Sequence, residues 1–144
     1  VIIAIELRGR KKKRKIGLAY AQCIDDYSTE SIRPFFKKKI SESAKIETDG
    51  FSSYTPLAKE YDLSQYLSEK GSSFPEIHLI IMNFKSWLRG IHHKCQYRYL
   101  QKYMDEFIFR FNRRNSESGI FNTLLKRFMD ESPWPLKRIY ELNG

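Results

Sequence analysis

This chain has few cysteines and no long apolar runs, and these absences argue against a disulfide-bonded, zinc-binding or membrane-spanning protein. Only Cys23 and Cys95 occur in 144 residues, so neither a disulfide framework nor a cysteine-based zinc site is supported. No apolar run reaches the ~18 residues that a membrane-spanning helix needs. Residues 1–5 are too short to be a signal peptide and follow no basic stretch. We therefore expect reduced thiols in a cytoplasmic protein that has no membrane partner.

Acidic residues are outnumbered by basic ones. The sequence holds 26 Lys and Arg against 17 Asp and Glu, which gives a formal net charge of +9 and a pI of about 9.6. This balance favours a polyanionic partner, and without a membrane-spanning run we prefer nucleic acid to an anionic membrane surface. The length predicts one domain, residues 1–144, which can bury a core but is short for a complete enzyme.

The spacing of apolar residues predicts a mixed α/β order. A basic connection, residues 8–15, separates the first two strands. Gly90 is expected to end the helix predicted at about residues 76–89. We predict strands at 1–7, 16–24, 45–48 and 63–67, and helices at about 29–40, 53–61, 76–89, 96–115 and 120–130. Composition and spacing leave the particular α/β fold open.

Aromatic residues recur at helical spacing between residues 103 and 114. The run reads Tyr-Met-Asp-Glu-Phe-Ile-Phe-Arg-Phe-Asn-Arg-Arg, in which Tyr103, Phe107 and Phe111 stand every four residues. A stripe with this period faces a core more often than it stacks on bases. We therefore interpret these rings as packing residues.

Two further runs carry polar residues in suggestive positions. Thr48-Asp49-Gly50 follows a predicted strand, and Tyr54 stands four residues beyond the glycine. An Asp exposed by a Gly turn at a strand end can hold a divalent cation, although Asp is also common in turns for local hydrogen bonding. Residues 78–93 read His-Leu-Ile-Ile-Met-Asn-Phe-Lys-Ser-Trp-Leu-Arg-Gly-Ile-His-His.

Together, the three runs resemble bacterial insertion-sequence transposases of the DDE superfamily, in particular the ISXO-like transposase domain. The resemblance implies a ribonuclease H-like fold, an α/β mixed sheet flanked by helices. It also implies metal-dependent DNA strand cleavage and strand transfer at transposon ends, with Mg²⁺ or Mn²⁺ as cofactor. Transposon ends and target DNA would be the partners, and the resemblance is compatible with a homo-oligomer.

The resemblance also implies roles for individual residues. Asp49 would be a metal ligand. The third ligand of the family stands seven residues before a Lys, and counting back from Lys85 gives His78, with Asn83 as second choice. Glu76 is two residues out of this register. A helix would place His78 and Lys85 on one face, with Arg89 one turn further, so that ligand and phosphate contacts could act together.

Basic clusters are the candidate DNA contacts. The hairpin connection contains Lys11, Lys12 and Lys13, for which a solvated loop is the ordinary explanation. Adjacent residues point about 100° apart on a helix, so we interpret His92 and His93 as phosphate or backbone contacts rather than metal ligands. The remaining candidates are Arg89, Arg110, Arg113 and Arg114.

The first catalytic Asp of the resembled family has no counterpart in this chain. Its place would lie upstream of Val1, so we expect an N-terminally truncated catalytic domain. The alternative is a non-catalytic basic nucleic-acid-binding module, such as a decayed transposase. The enzyme requires acidic ligands that converge on a metal, whereas the binding module requires only the basic clusters.

Overall fold

Strands and helices alternate along the chain in a computed structural model that describes residues 1–9, 13–67, 73–92 and 95–133. Contacts divide the chain into two compact units, Val1–Asn112 and Arg113–Gly144. The described residues form four strands, four α-helices and two 3-10 helices. They are β1 (Ile2–Arg8), β2 (Lys15–Gln22), α1 (Thr29–Lys39), β3 (Lys45–Asp49), a 3-10 helix (Ser52–Lys59), β4 (Asp62–Tyr66), α2 (Pro75–Ile91), a 3-10 helix (Tyr97–Tyr99), α3 (Leu100–Asn112) and α4 (Glu117–Asp130).

The first unit has the α/β class that the sequence predicts. Among the described residues its strands form two two-stranded ladders, whereas the sequence analysis expected one mixed sheet. β1 and β2 are antiparallel, and β3 and β4 are parallel. None of the described helices is long and apolar enough to cross a membrane.

β1 and β2 form a hairpin whose register shifts between Ile5 and Leu7. At this irregularity the Glu6 carboxylate accepts a hydrogen bond from the Leu18 N–H at 3.1 Å and pairs with Arg8. β1 then turns at Gly9, whose φ is 100°. A Cβ at Gly9 would lie 2.7 Å from the Lys13 carbonyl oxygen, so the turn requires glycine.

A crossover through the first 3-10 helix makes β3 and β4 parallel. The core lies under it, where α1 contributes Ile32, Phe35 and Phe36 and the 3-10 helix contributes Leu57. Ile2 of β1 joins the same cluster. Burial of these large side chains is the main driving force that holds α1 against the strands.

A hydrogen-bond network fixes the start of α1. The Ser28 hydroxyl caps the helix by accepting from the Ser31 N–H at 3.3 Å. Asp26 accepts from the Ser28 N–H at 2.9 Å and from its hydroxyl at 2.5 Å. These bonds, with a further one from Ser31, lower the pKa of Asp26 to about 2.

Aromatic side chains join α2 to α3. The Phe107 ring lies 5.3 Å from Phe84 and 5.8 Å from Trp87, and it stacks on Phe111 at 6.2 Å. Phe107 and Phe111 are half-buried, so the packing interpretation of this stripe is confirmed.

The prediction that Gly90 stops α2 is wrong. The helix continues through Gly90 to Ile91, and its cap is His92, whose N–H donates to the Leu88 carbonyl at 2.9 Å. A glycine stop needs a left-handed residue beyond the last turn. The cap residue here is extended instead, with φ of −119°.

α3 lies along the outer edge of β2 and closes it with side-chain amides. The side-chain oxygen Oδ1 of Asn112 accepts a hydrogen bond from the Ala19 N–H at 2.7 Å, and the side-chain nitrogen Nδ2 donates one to the Ala19 backbone carbonyl at 2.8 Å. The Gln101 side-chain oxygen accepts from the Cys23 N–H at 2.7 Å. Backbone groups that would otherwise be exposed on an edge strand are thereby satisfied.

Candidate functional site

Asp49 is the last residue of β3 and its side chain is exposed. One carboxylate oxygen accepts from the Phe51 N–H at 3.4 Å, a long hydrogen bond across the Asp49-Gly50-Phe51 turn. A Cβ at Gly50 would lie 3.4 Å from the Leu67 side chain, at the short limit of ordinary van der Waals contact. The strand end therefore presents the carboxylate outward, with its coordination sites mostly open.

Gln65 of β4 holds the Asp49 turn from the neighbouring strand. Its amide nitrogen donates to the Phe51 carbonyl at 3.0 Å and approaches the Asp49 carbonyl at 3.5 Å. The Gln65 side-chain oxygen accepts from the Thr55 hydroxyl at 3.2 Å. Sequence analysis did not identify Gln65, because its partners become neighbours only when β3 and β4 pair.

Tyr54, the aromatic residue of the same motif, stands behind the carboxylate. Its ring packs against Phe36 at 6.1 Å and Phe51 at 6.3 Å. Burial, and then the negative charge of Asp49, raise the pKa of Tyr54. Asp49 and Tyr54 line a cavity of about 290 Å³ together with Val1 and Ile2. The start of β1 therefore lies at the Asp49 end of β3.

α2 presents the other predicted site residues on its outer surface. His78 lies in the first turn, where its N–H donates to the Phe74 carbonyl at 3.2 Å. His78 is exposed, and so are Asn83, Lys85 and Arg89. As ligands of one metal site, which the resemblance implies, His78 and Asp49 would have to lie close together, and this stays a prediction.

Glu76 lies beside β3, although sequence analysis set it out of register. Arg14 makes two hydrogen bonds to Glu47, at 2.9 and 3.0 Å. These bonds, and the nearby charges of Glu47 and Glu76, raise the pKa of Arg14. Glu47 and Glu76 also line one cavity, so the start of α2 faces β3.

The described donors do not by themselves fit a two-metal centre. No group of three or more His, Cys, Asp or Glu that could hold a metal occurs among the residues that the structure describes. Mg²⁺ prefers carboxylate oxygens, and neutral imidazole suits softer metals. Asp49 can supply one ligand, and the rest of a centre would need further carboxylates.

The predicted DNA contacts fall into different environments. Lys13 is exposed, whereas Lys11, Lys12 and His93 lie outside the described residues. Arg110 is exposed and pairs with Glu106 at 2.9 Å. Arg113 and Arg114 follow α3 and belong to the second unit.

His92 points into the aromatic cluster of the first unit. Its ring lies 4.3 Å from Tyr103 and 5.8 Å from Trp87. The Nε2 atom is buried and has no hydrogen-bond partner among the described residues. This placement favours a packing role over contact with a phosphate.

A basic cluster that sequence analysis did not single out ends α1. Lys37, Lys38 and Lys39 occupy the last turn and are exposed. The Lys39 amine also lies 5.5 Å from the centre of the Tyr20 ring. Three successive lysines are visible in the sequence, but cations in a last helical turn are ordinarily explained by the helix dipole.

A sequence model of one protein family, described as the ISXO2-like transposase domain, matches residues 1–112. The matched residues are those of the first compact unit. The chain has no significant match among curated proteins or among solved structures.

Proposed function

The chain belongs to the ISXO2-like transposase domain family, and from that membership we propose that its first unit is a DDE-type catalytic domain with a ribonuclease H-like fold. Membership in a transposase family implies DNA as the general partner. The proposed reaction is metal-dependent cleavage of DNA strands at transposon ends, followed by strand transfer. The presentation of Asp49 at the end of β3 is the observation that carries this proposal.

Asp49 has the properties expected of a metal ligand. Its carboxylate is exposed at a strand end, Gln65 donates a hydrogen bond to the Phe51 carbonyl of the turn, and the Tyr54 ring packs against Phe51. Mg²⁺ or Mn²⁺ would bind there with water and phosphate as further ligands. His78 would be the second protein ligand, with Asn83 as its alternative.

A carboxylate from outside the present residues is part of the proposal. Two Mg²⁺ ions carry four positive charges, and Asp49 with a neutral His78 would offset one of them. We place the missing Asp on a segment upstream of Val1. The chain as given is then expected not to cleave DNA.

DNA would be held by exposed cations on several elements. Lys85 on the outer surface of α2 would contact a phosphate near the proposed metal ligands, since it lies two turns beyond His78. Each neutralised phosphate releases counterions, which makes binding sensitive to salt. The other proposed contacts are Lys11, Lys12, Lys13, Arg89, His93, Arg110, Arg113 and Arg114.

A non-catalytic DNA-binding module is the second candidate function. It is favoured by the absence of a three-ligand metal group among the described residues, and the charge of +9 is sufficient for it. This candidate predicts DNA binding that no upstream segment converts into cleavage.

Nicking of supercoiled plasmid DNA with Mg²⁺ or Mn²⁺ tests the proposal. We expect no nicking by the chain as given, and nicking by a protein joined to its in-frame upstream segment. In the extended protein Asp49→Ala should abolish nicking, and Asp62→Ala, at an exposed acid that starts β4, should leave it unchanged. Nicking by the unextended chain that Asp49→Ala removes would refute the need for the upstream Asp. If no extended protein nicks the plasmid, the result would favour the second candidate function, a non-catalytic DNA-binding module.

Tyr54 offers a second readout of the same site. Because the Asp49 charge contributes to the raised pKa of Tyr54, a cation bound at Asp49 should lower that pKa, as should Asp49→Asn. The pKa can be followed by NMR of the labelled Tyr54 ring during a Mn²⁺-free Mg²⁺ titration of the extended protein. A Tyr54 pKa that Mg²⁺ leaves unchanged, while Asp49→Asn lowers it, would contradict metal binding at Asp49.

A further inference from the structure

Two exposed aromatic rings stand beside Asp49. Tyr27 precedes Ser28, the cap of α1, and Phe51 follows Asp49 in the turn after β3. Tyr27 is 63% exposed and Phe51 is 43% exposed. Isolated exposed apolar residues need no explanation, but adjoining ones with polar residues around them often mark a binding site. The pair is therefore a candidate surface for a ligand.

The two rings meet almost at a right angle. Their centroids lie 6.1 Å apart, and their planes are inclined by 82°. This edge-to-face arrangement forms a corner, in which a flat aromatic ligand can stack on one ring and touch the other at its edge. The geometry therefore favours a planar aromatic ligand over a flexible aliphatic one.

Hydrogen bonds hold the two segments that carry these rings. The Thr29 hydroxyl, two residues beyond Tyr27, donates to the Ser53 carbonyl, two residues beyond Phe51, at 2.9 Å. The Phe51 carbonyl also accepts from the Gln65 amide at 3.0 Å. Because these bonds exist without a ligand, binding does not have to order the corner, and little affinity is lost to conformational entropy.

The corner opens onto the small cavity beside Asp49. Tyr27, Phe51 and Asp49 all line this cavity, whose volume is about 290 Å³. At roughly 30 Å³ for each water molecule, it corresponds to about ten waters, close to the number of non-hydrogen atoms in a purine base. A base pair has about twice as many such atoms. The cavity therefore has the size of one base.

The charges around the corner disfavour a phosphate inside the cavity. Asp25 and Asp26 precede Tyr27 in the chain, and Asp49 lies in the cavity wall. No Lys or Arg occurs among the described residues that line the cavity. These carboxylates repel a phosphate but not an uncharged base. A nucleotide would therefore place its base in the cavity and its phosphates outside.

We propose that Tyr27 and Phe51 receive one unpaired base of the DNA strand whose phosphate lies at Asp49. The position of that phosphate rests on the proposed function, whereas the binding of a base to the corner does not. Bases in an intact duplex stack on one another, so only a base that has left the stack can offer its face to Tyr27. Stacking tolerates every base, so the corner selects unpaired DNA rather than a sequence.

A strand with a single base tests the corner without any cleavage. The probe is a five-position DNA strand that carries adenine at its centre and abasic sugars elsewhere, and the matched probe is abasic throughout. Both strands carry the same phosphates, so the ratio of their Kd values measures the contribution of the base. NMR titrations of the chain at low salt, in the presence of EDTA, give this ratio without a metal at Asp49.

The chain should bind the adenine strand more tightly than the abasic strand by roughly 5- to 150-fold, the range of stacking on an aromatic side chain. Adenine should also move the ring-proton resonances of Tyr27 and Phe51 upfield. Tyr27→Leu should remove most of the preference, and Tyr27→Phe should keep it. Tyr66→Leu is the matched control and should change nothing, because Tyr66 is 46% exposed and pairs with Asp49 but does not line the cavity.

Equal affinities of the unsubstituted chain for the two strands would overturn the proposal. So would a preference that Tyr66→Leu reduces as much as Tyr27→Leu, since the base would then lie on the β4 side of Asp49. Loss of the preference in Tyr27→Phe would show that the hydroxyl, rather than the ring face, binds the base. None of these outcomes bears on metal binding at Asp49, and a chain that fails to nick DNA can still show the preference.

Discussion

At the scale of single residues, two aspartates in turns have different tasks. One carboxylate oxygen of Asp26 accepts two hydrogen bonds from Ser28 at the start of α1. Asp49 accepts a long bond from the Phe51 N–H and remains exposed. The first aspartate stabilises a helix end, and the second has lone pairs that can meet a cation.

The pH dependence of stability should reveal the Asp26 network. Its folded pKa of about 2 lies below the ordinary value of roughly 3.9. A carboxylate whose pKa is lower in the folded state than in the unfolded state stabilises the fold at pH values above its unfolded-state pKa. This stabilisation is lost as the pH falls towards the folded-state pKa. We expect Asp26→Asn to lower Tm at pH 7 and the difference to shrink between about pH 4 and pH 2.

Thermal unfolding at pH 7, 4 and 2.5 measures this effect. Asp25→Asn is the matched control, because it removes the neighbouring exposed acid, and it should leave Tm nearly unchanged. A Tm difference for Asp26→Asn that is the same at all three pH values would show that charge is not its cause.

At the scale of elements, α3 contacts both a helix, α2, and a strand, β2. One side of the helix packs Phe107 against α2, and its amides close the edge of β2. Position 112 of the motif therefore has a structural reason for carrying an amide. Asn carries a donor and an acceptor side by side, which is what a strand residue offers its neighbour.

Loss of the Asn112 amide should be costly. Ala19 is fully buried, so Asn112→Ala leaves its N–H and C=O without their partners. An unsatisfied buried group costs roughly 1–3 kcal/mol, and we expect the free energy of unfolding in urea to fall by about 2–4 kcal/mol. Asn83→Ala, at an exposed amide of α2, should change it by less than about 0.5 kcal/mol. Equal effects of the two variants would contradict the edge-closing role.

At the scale of the whole molecule, ion pairs reduce the number of cations that DNA can meet. Arg8 pairs with Glu6, Arg14 with Glu47, and Arg110 with Glu106. Exposed pairs contribute little to stability, but each offsets a positive charge on the surface. Among the described residues, Lys13 and the three lysines at the end of α1 are exposed and are therefore the stronger candidates for phosphate contacts.

DNA affinity should depend steeply on salt and little on sequence. We expect Lys11, Lys12 and Lys13→Ala together to reduce the slope of log affinity against log salt by about one unit for each phosphate that the variant no longer neutralises. Fluorescence anisotropy with two unrelated duplexes measures the slope. The control is Glu6→Gln with Arg8→Gln, which removes an ion pair of the same hairpin at constant net charge. An unchanged slope in the triple variant would mean that the connection is a solvated loop.

Local patterns were enough to predict the order of strands and helices. Alternation and helical spacing are short-range properties, so the hairpin, β3, β4 and the helices were placed within a few residues. The inward face of Phe107 and Phe111 followed from the same periodicity. Helix type and exact ends were harder to predict, because the helix predicted at 53–61 is a 3-10 helix at Ser52–Lys59 and Gly90 does not stop α2.

By itself the sequence determined the basic charge, the α/β class, the motifs of the transposase family and the exposed position of Asp49 after a strand. Only the tertiary structure decided which strand edges are closed, that Arg14 pairs with Glu47, and that Gln65 and Glu76 lie near β3. The contacts that settle these points join residues far apart in the chain, 33 positions for Arg14 and Glu47 and 93 for Ala19 and Asn112. Such contacts arise when packed elements bring their backbone and side-chain groups together, and no short-range pattern encodes them.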